Sequence, residues 1–153
     1  MRLESPAFRD GAPIPAGHSR EGGDVSPPLT WTDPPAGTRS FALVCDDPDA
    51  PRGTWVHWVL WAVPPSARSL AAGAGSSDDP IGGGVHGATD FGERRWGGPA
   101  PPRGHGVHHY RFHLYALDAP PKLKPGAARA ELDDAMKGHV LAEAKLVGTY
   151  RRD

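Results

Sequence analysis

Three groups of residues have the types and spacing to do chemistry. Asp47 and Asp49 stand in a turn stiffened by Pro48 and Pro51. His57 is an ionisable ring in an apolar run, and His108 and Tyr110 alternate with other residues in the stretch from Val107 to Leu117. A buried imidazole without a hydrogen-bond partner costs about 1–3 kcal/mol, so His57 and His108 each require one. A carboxylate from the Asp47 turn can serve, and its charge would favour the imidazolium. The product is a site able to hold an anion although no Lys or Arg lies near it in sequence. Two satisfied core histidines beside a capped turn would leave the same pattern.

Other chemistries find less support. His105, His108, His109 and His113 are close in sequence, and Asp47 can add an oxygen ligand. His108 and His109 nevertheless fall on opposite faces of a strand, and neither a Cys pair nor a His-Glu-x-x-His run is present. We therefore expect no metal and no cofactor, and read His109, Arg111 and His113 as a solvated face. The glycines Gly82 to Gly84 lead into Val85 and His86 without a following Lys-Ser/Thr, so a P-loop is not supported. The segment Gly97 to Gly106 also lacks a helix after it, but its backbone N–H groups can meet a small anion. No Gly-x-Ser-x-Gly elbow occurs. Seventeen basic against eighteen acidic residues leave a net charge of -1. That balance disfavours general nucleic-acid binding.

The elements that position these groups are strands. One runs from Ser40 to Cys45 and ends at the Asp-Pro turn. A second runs from about Trp55 to Val63, with Trp55, His57, Val59, Trp61 and Val63 on one face and Val56, Trp58, Leu60 and Ala62 on the other. Both faces are apolar, as in a strand covered on both sides. A third spans Val107 to Leu117, with His108, Tyr110, Phe112 and Leu114 facing one way. Between them, Leu70 to Gly106 is a long Gly-, Ser-, Asp- and Pro-rich loop of the length that usually carries function. Leu132, Met136, Val140 and Ala144 recur every four residues between Ala127 and Lys145. This reads as helix, divided by Gly138 into two short pieces.

Prolines from Pro6 to Pro35 exclude long helices in the first forty residues. Twenty glycines and eighteen prolines punctuate the apolar segments instead of replacing them. With 153 residues the expectation is one domain, 1–153, mainly β, a sandwich with short helices near the C-terminus. No stretch reaches the ~20 apolar residues of a spanning helix. The first six residues hold no hydrophobic signal core, and Cys45 is alone in an apolar run. These point to a packing role for Cys45 and a cytoplasmic setting.

At these positions the chain resembles the phosphatidylethanolamine-binding protein family, in its bacterial Raf-kinase-inhibitor-like branch. Ser5-Pro-Ala-Phe8 and Ser26-Pro-Pro-Leu-Thr-Trp31 are similar to its N-terminal signature. Asp47-Pro-Asp-Ala-Pro51 with Trp55-Val-His-Trp58 is similar to its first block. Gly98-Pro-Ala-Pro-Pro-Arg-Gly104 with Gly106-Val-His-His-Tyr110 is similar to its second. Gly138 to Ala144 and Gly148 to Arg151 match the branch's C-terminal end.

The resemblance implies an antiparallel β-sandwich with a small pocket for phosphate-type anions and phospholipid head groups. It assigns the pocket wall to Asp47, His57, His108 and Tyr110 and its rim to Pro51 and Pro102, with Tyr150 nearby. Trp96, where bacterial members often carry Tyr, and His109, where they often carry Arg, depart from the pattern at the expected pocket mouth. A binding module is the leading expectation. Alternatives are an inhibitor of a kinase or protease through protein contact, and an acid–base enzyme on a small metabolite. A homodimer is also implied.

Overall fold

The central element is strand β3, Ser40–Asp47, buried along its whole length in a computed structural model that describes residues 1–153. It lies between β4 (Trp55–Val63) and β7 (His108–Leu117) in a five-stranded sheet that β6 (Val85–His86) and β8 (Val140–Tyr150) complete. A smaller sheet of β1 (Arg2–Glu4), β2 (Leu29–Thr32) and β5 (Ser69–Leu70) covers one face, and the strands pair antiparallel. Phe41, Leu43 and Cys45 of β3 pack in the inter-sheet core with Leu29, Trp31 and Leu70. Ala42 and Val44 point the other way, into a second cluster under helix α1 (Arg129–Met136), with Leu132 and Met136. The expected mainly β sandwich is thus built on one strand apolar on both sides. Cys45 is fully buried in it, and burial pushes its thiol well above the ordinary range.

The face assignment expected for β4 needs correction. Cys45 pairs with Trp58 but Asp46 pairs with Val56, so His57 is an extra residue. Phe41 pairs with Val63 but Leu43 pairs with Leu60, so two residues, Trp61 and Ala62, stand opposite Ala42, with Ala62 at φ +56°. An inserted residue reverses the phase of everything beyond it. Trp58, Leu60 and Val63 therefore join the inter-sheet core, while Val56, Val59 and Trp61 pack toward α1. His57 ends on the same side as Trp58, with its ring edge-on to Tyr110. β7 keeps the expected alternation, placing Tyr110, Phe112 and Leu114 in the inter-sheet core.

The C-terminal helical reading holds only in its first half. Gly138, at φ +80°, follows the end of α1, and the chain then runs antiparallel along β7 from Val140 to Tyr150. A spacing of four matches one helical turn and also two strand repeats, so Val140 and Ala144 could not distinguish them. The pairing surface of β7 decides for strand.

The long loop after β5 is irregular yet anchored. Trp96 N–H donates to the Gly75 carbonyl at 2.9 Å and its indole N–H to the His18 carbonyl at 3.1 Å. Gly97 N–H reaches the His57 carbonyl at 2.9 Å, and Gly98 N–H the Asp24 carboxylate at 2.7 Å. The loop backbone also lies flat against Trp58, where a Cβ on Gly75 would stand 2.3 Å from the indole. Gly75→Ala should accordingly lower the unfolding free energy by about 1–3 kcal/mol, an overpacking cost, read as an earlier denaturant midpoint with unchanged slope.

Candidate functional site

Asp47 closes β3 with its side chain only 4% exposed. Its Oδ1 accepts the Asp49 N–H at 2.8 Å, and its Oδ2 accepts from His108 Nδ1 at 2.6 Å. Because a carboxylate only accepts, His108 carries its proton on Nδ1. The other nitrogen, Nε2, lies 2.6 Å from Nδ1 of His105, whose ring packs edge-on at 4.9 Å between centroids. His108 thus has both nitrogens engaged.

His57 faces the same space from β4. Its Nδ1 donates to the Gly97 carbonyl at 2.6 Å, which leaves Nε2 for a ligand. Burial pushes its pKa down, against the raising influence of Gly97 and Asp47, and keeps the ring neutral. Tyr110 is fully buried, and its hydroxyl has no hydrogen-bond partner. Burial, and then the Asp47 charge, pushes the phenol pKa up, so it remains a donor.

These side chains surround a cavity of about 210 Å³. All six residues expected from the sequence lie in its wall: Asp47, Pro51, His57, Pro102, His108 and Tyr110. The volume is below the ~300–1,000 Å³ of sites for drug-sized ligands, and suits a group of a few heavy atoms. No Lys or Arg lines it.

Sequence reasoning missed Trp55 and Phe91 as lining residues. Phe91 sits alone in a polar loop, and only its T-shaped contacts with His57 and Trp55 show its place. His105 was weighed only as a metal ligand, whereas it bonds His108. Two expectations are corrected. Trp96 is buried on Phe112, centroids 5.8 Å apart, and does not reach the cavity. His109 turns to the opposite face and pairs with Asp49 at 2.7 Å. Tyr150 stands near the cavity, as the register partner of His108 on β8, without lining it.

The expected solvated face of β7 is likewise only partly so. Arg111 donates to Asp46 at 2.8 Å, and His113 lies 3.5 Å from the same carboxylate, which is fully buried and also held by Arg129. Burial would raise the Asp46 pKa, but the bonds from His113, Arg111 and Arg129 outweigh it and hold the carboxyl well below the usual range.

By class the chain is a two-layer antiparallel β-sandwich with a small, mostly apolar cavity. The chain matches the family model described as phosphatidylethanolamine-binding protein over residues 4–151, and it belongs to that family. A Methanothermobacter thermautotrophicus protein named UPF0098 protein is 45% identical over 152 residues, 99% of each chain. Escherichia coli YbcL, described as a member of the mammalian PEBP family, superposes with a TM-score of 0.92 at 32% identity, covering 99% of this chain and 98% of its own. LppC of Mycobacterium tuberculosis, named as a lipoprotein, is 44% identical over 98% of this chain and 72% of its own. No helix of this chain is long and apolar enough to cross a membrane.

His57 and His86 are both kept neutral by burial, so their folded pKa values lie below the unfolded one. Their stabilising contribution is present above the unfolded histidine value of ~6.5 and is lost as pH falls below it. Thermal melts should show Tm falling between about pH 7.5 and 5.5, with a smaller fall in His57→Phe. A fall of equal size in the variant would mean that His57 is not the titrating group.

Proposed function

We propose that the chain binds a small phosphate-type anion, free or as a phospholipid head group, in the cavity of Asp47, His57, His108 and Tyr110. The observation that carries this reading is the Tyr110 hydroxyl, a buried donor without a partner in a residue of the cavity wall. An unpaired buried hydroxyl costs about 1–3 kcal/mol, and an acceptor oxygen entering the cavity removes that cost. His57 Nε2 supplies the second contact. While the ring is neutral it accepts, so it suits the O–H of a protonated phosphate; once protonated it donates to the anion directly. In both cases a proton travels with the anion, and affinity rises as pH falls. Pro51, Trp55, Phe91 and Pro102 keep the surroundings apolar, which strengthens each polar contact.

The acid–base enzyme reading draws on the same Asp47–His108 pair. With both His108 nitrogens engaged and no Ser, Thr, Cys or Lys in the cavity wall, binding is favoured over turnover. No feature of the cavity favours kinase or protease inhibition. The setting we infer is cytoplasmic, from the single cysteine.

Calorimetric titration with inorganic phosphate and with phosphoethanolamine, at about pH 6 and pH 8, tests the reading. We expect saturable binding that tightens at the lower pH. Equal affinities would point to the phosphate group alone, and tighter phosphoethanolamine to a head group. Tyr110→Phe, still folded by its melting curve, should bind about tenfold more weakly, the equivalent of ~1.4 kcal/mol. Absence of heat with both probes at both pH values would overturn the reading.

A further inference from the structure

Arg20 does not line the cavity, yet it touches three of the segments that build the wall around His57. Its guanidinium carbon stands 4.1 Å over the centre of the Phe91 ring. Its backbone N–H donates to the Pro99 carbonyl at 2.9 Å, just before Ala100, Pro101 and Pro102 of the cavity wall. Its Nη1 meets Glu93 at 2.8 Å and Asp24 at 3.5 Å. Glu93 closes the turn that carries Phe91, its carbonyl accepting the Thr89 N–H at 2.8 Å. Asp24 accepts the Gly98 N–H at 2.7 Å, and does so with φ of +57°, in the left-handed region that few side chains adopt.

Phe91 needs such a hold. It belongs to neither hydrophobic cluster, and its chain neighbours are Asp90 and Gly92. The ring meets Trp55 and His57 in T-shaped contacts, at 5.5 and 5.3 Å between centroids, and Trp55 is itself exposed. The ring also lies on Gly97, where a Cβ would stand 2.4 Å from it and 3.2 Å from Arg20 Nη1. Guanidinium, ring and Gly97 backbone therefore form one packed group. The face of a phenyl ring attracts a cation placed over it. Arg20 thus holds Phe91 inward, against His57 and against the residue whose carbonyl accepts the His57 Nδ1–H at 2.6 Å.

We propose that Arg20 is a positioning residue of the cavity: by clamping Phe91 against His57 and Gly97 from outside, it keeps the imidazole oriented with Nε2 free for the ligand and closes that side of the wall to water. The proposal rests on the anion-binding reading of the same cavity. The side chains of the two ion pairs are each about a third exposed, and pairs of that kind add little to stability. Loss of the guanidinium is therefore felt at His57 and in ligand affinity more than in the fold.

Three variants separate the parts of the clamp. Arg20→Gln removes the cation, Arg20→Lys keeps one over the ring, and Phe91→Leu removes the ring but leaves the ion pairs. All three should keep a cooperative melting transition. In the ligand-free protein, the carbon-bound ring protons of His57 are displaced by the ring current of Phe91. Proton NMR should show them moving in Arg20→Gln in the same direction as in Phe91→Leu, with Arg20→Lys close to the wild type. His57 signals that stay at their wild-type positions in Arg20→Gln would overturn the proposal.

Calorimetry with inorganic phosphate near pH 6 supplies the second readout. Binding should be about fivefold weaker in Arg20→Gln and in Phe91→Leu, and within about twofold of the wild type in Arg20→Lys. Combining Arg20→Gln with Phe91→Leu should weaken it by less than about twofold more, because both act through the same ring. A full fivefold further loss in the double variant would mean that Arg20 acts by another route, and wild-type affinity in Phe91→Leu would count equally against the clamp. If the wild type itself takes up no phosphate, the anion reading fails alone, and the His57 signals decide whether Arg20 holds the wall.

Discussion

Two carboxylates, adjacent in sequence and buried on opposite faces of the central strand, set the demands that the rest of the molecule meets. Strand alternation sends Asp46 to one side of the sheet and Asp47 to the other. A buried charge is tolerated only when paired and hydrogen-bonded. Asp46 draws Arg111 and His113 from β7 and Arg129 from α1, so that one charge joins the helix to the sheet. Asp47 draws His108 from the start of β7 and the backbone of its own turn, and this pairing forms one wall of the cavity. The carboxylate that ties the helix to the sheet and the carboxylate that lines the cavity are thus one residue step apart along β3.

The opposite wall depends on an irregularity. Without the extra residue at His57, the ring would project toward α1, and the cavity would lose its second imidazole. The bulge turns His57 beside Trp58 on the inter-sheet side. There the Gly97 carbonyl fixes its tautomer. That carbonyl is available because the long loop is tied down on either side of it, by Gly97 N–H to the His57 carbonyl and by Gly98 N–H to Asp24. Loop and bulge support each other, which explains how a stretch with so little regular structure can form part of a cavity wall.

On the anion-binding reading proposed above, the cavity departs from the usual logic of anion recognition. Sites for phosphate groups commonly use arginine forks or helix N-termini. Here an unpaired phenol and a neutral imidazole would take their place. The apolar rim would keep water from competing, so that a few well-placed polar atoms suffice.

Much of this was legible in the residues themselves. The turn at Asp47, the apolar strands and the alternation of His108 with Tyr110 are local patterns. The need to pair buried polar groups follows from their chemistry, and so Asp47, His57, His108 and Tyr110 of the cavity wall are legible in the sequence, whereas Trp55 and Phe91 are not. Three things were decided only by tertiary structure. The phase of β4 rests on bulges, which carry no reliable local signal when both faces are apolar. The last eleven-residue strand shares its spacing of four with a helix, and only the exposed edge of β7 selects the strand. The contact of His105 with His108 depends on how a glycine-flanked turn folds back over its own strand. Periodicity along a chain reports which side a residue faces; it does not report which distant group waits there, and that group sets the chemistry.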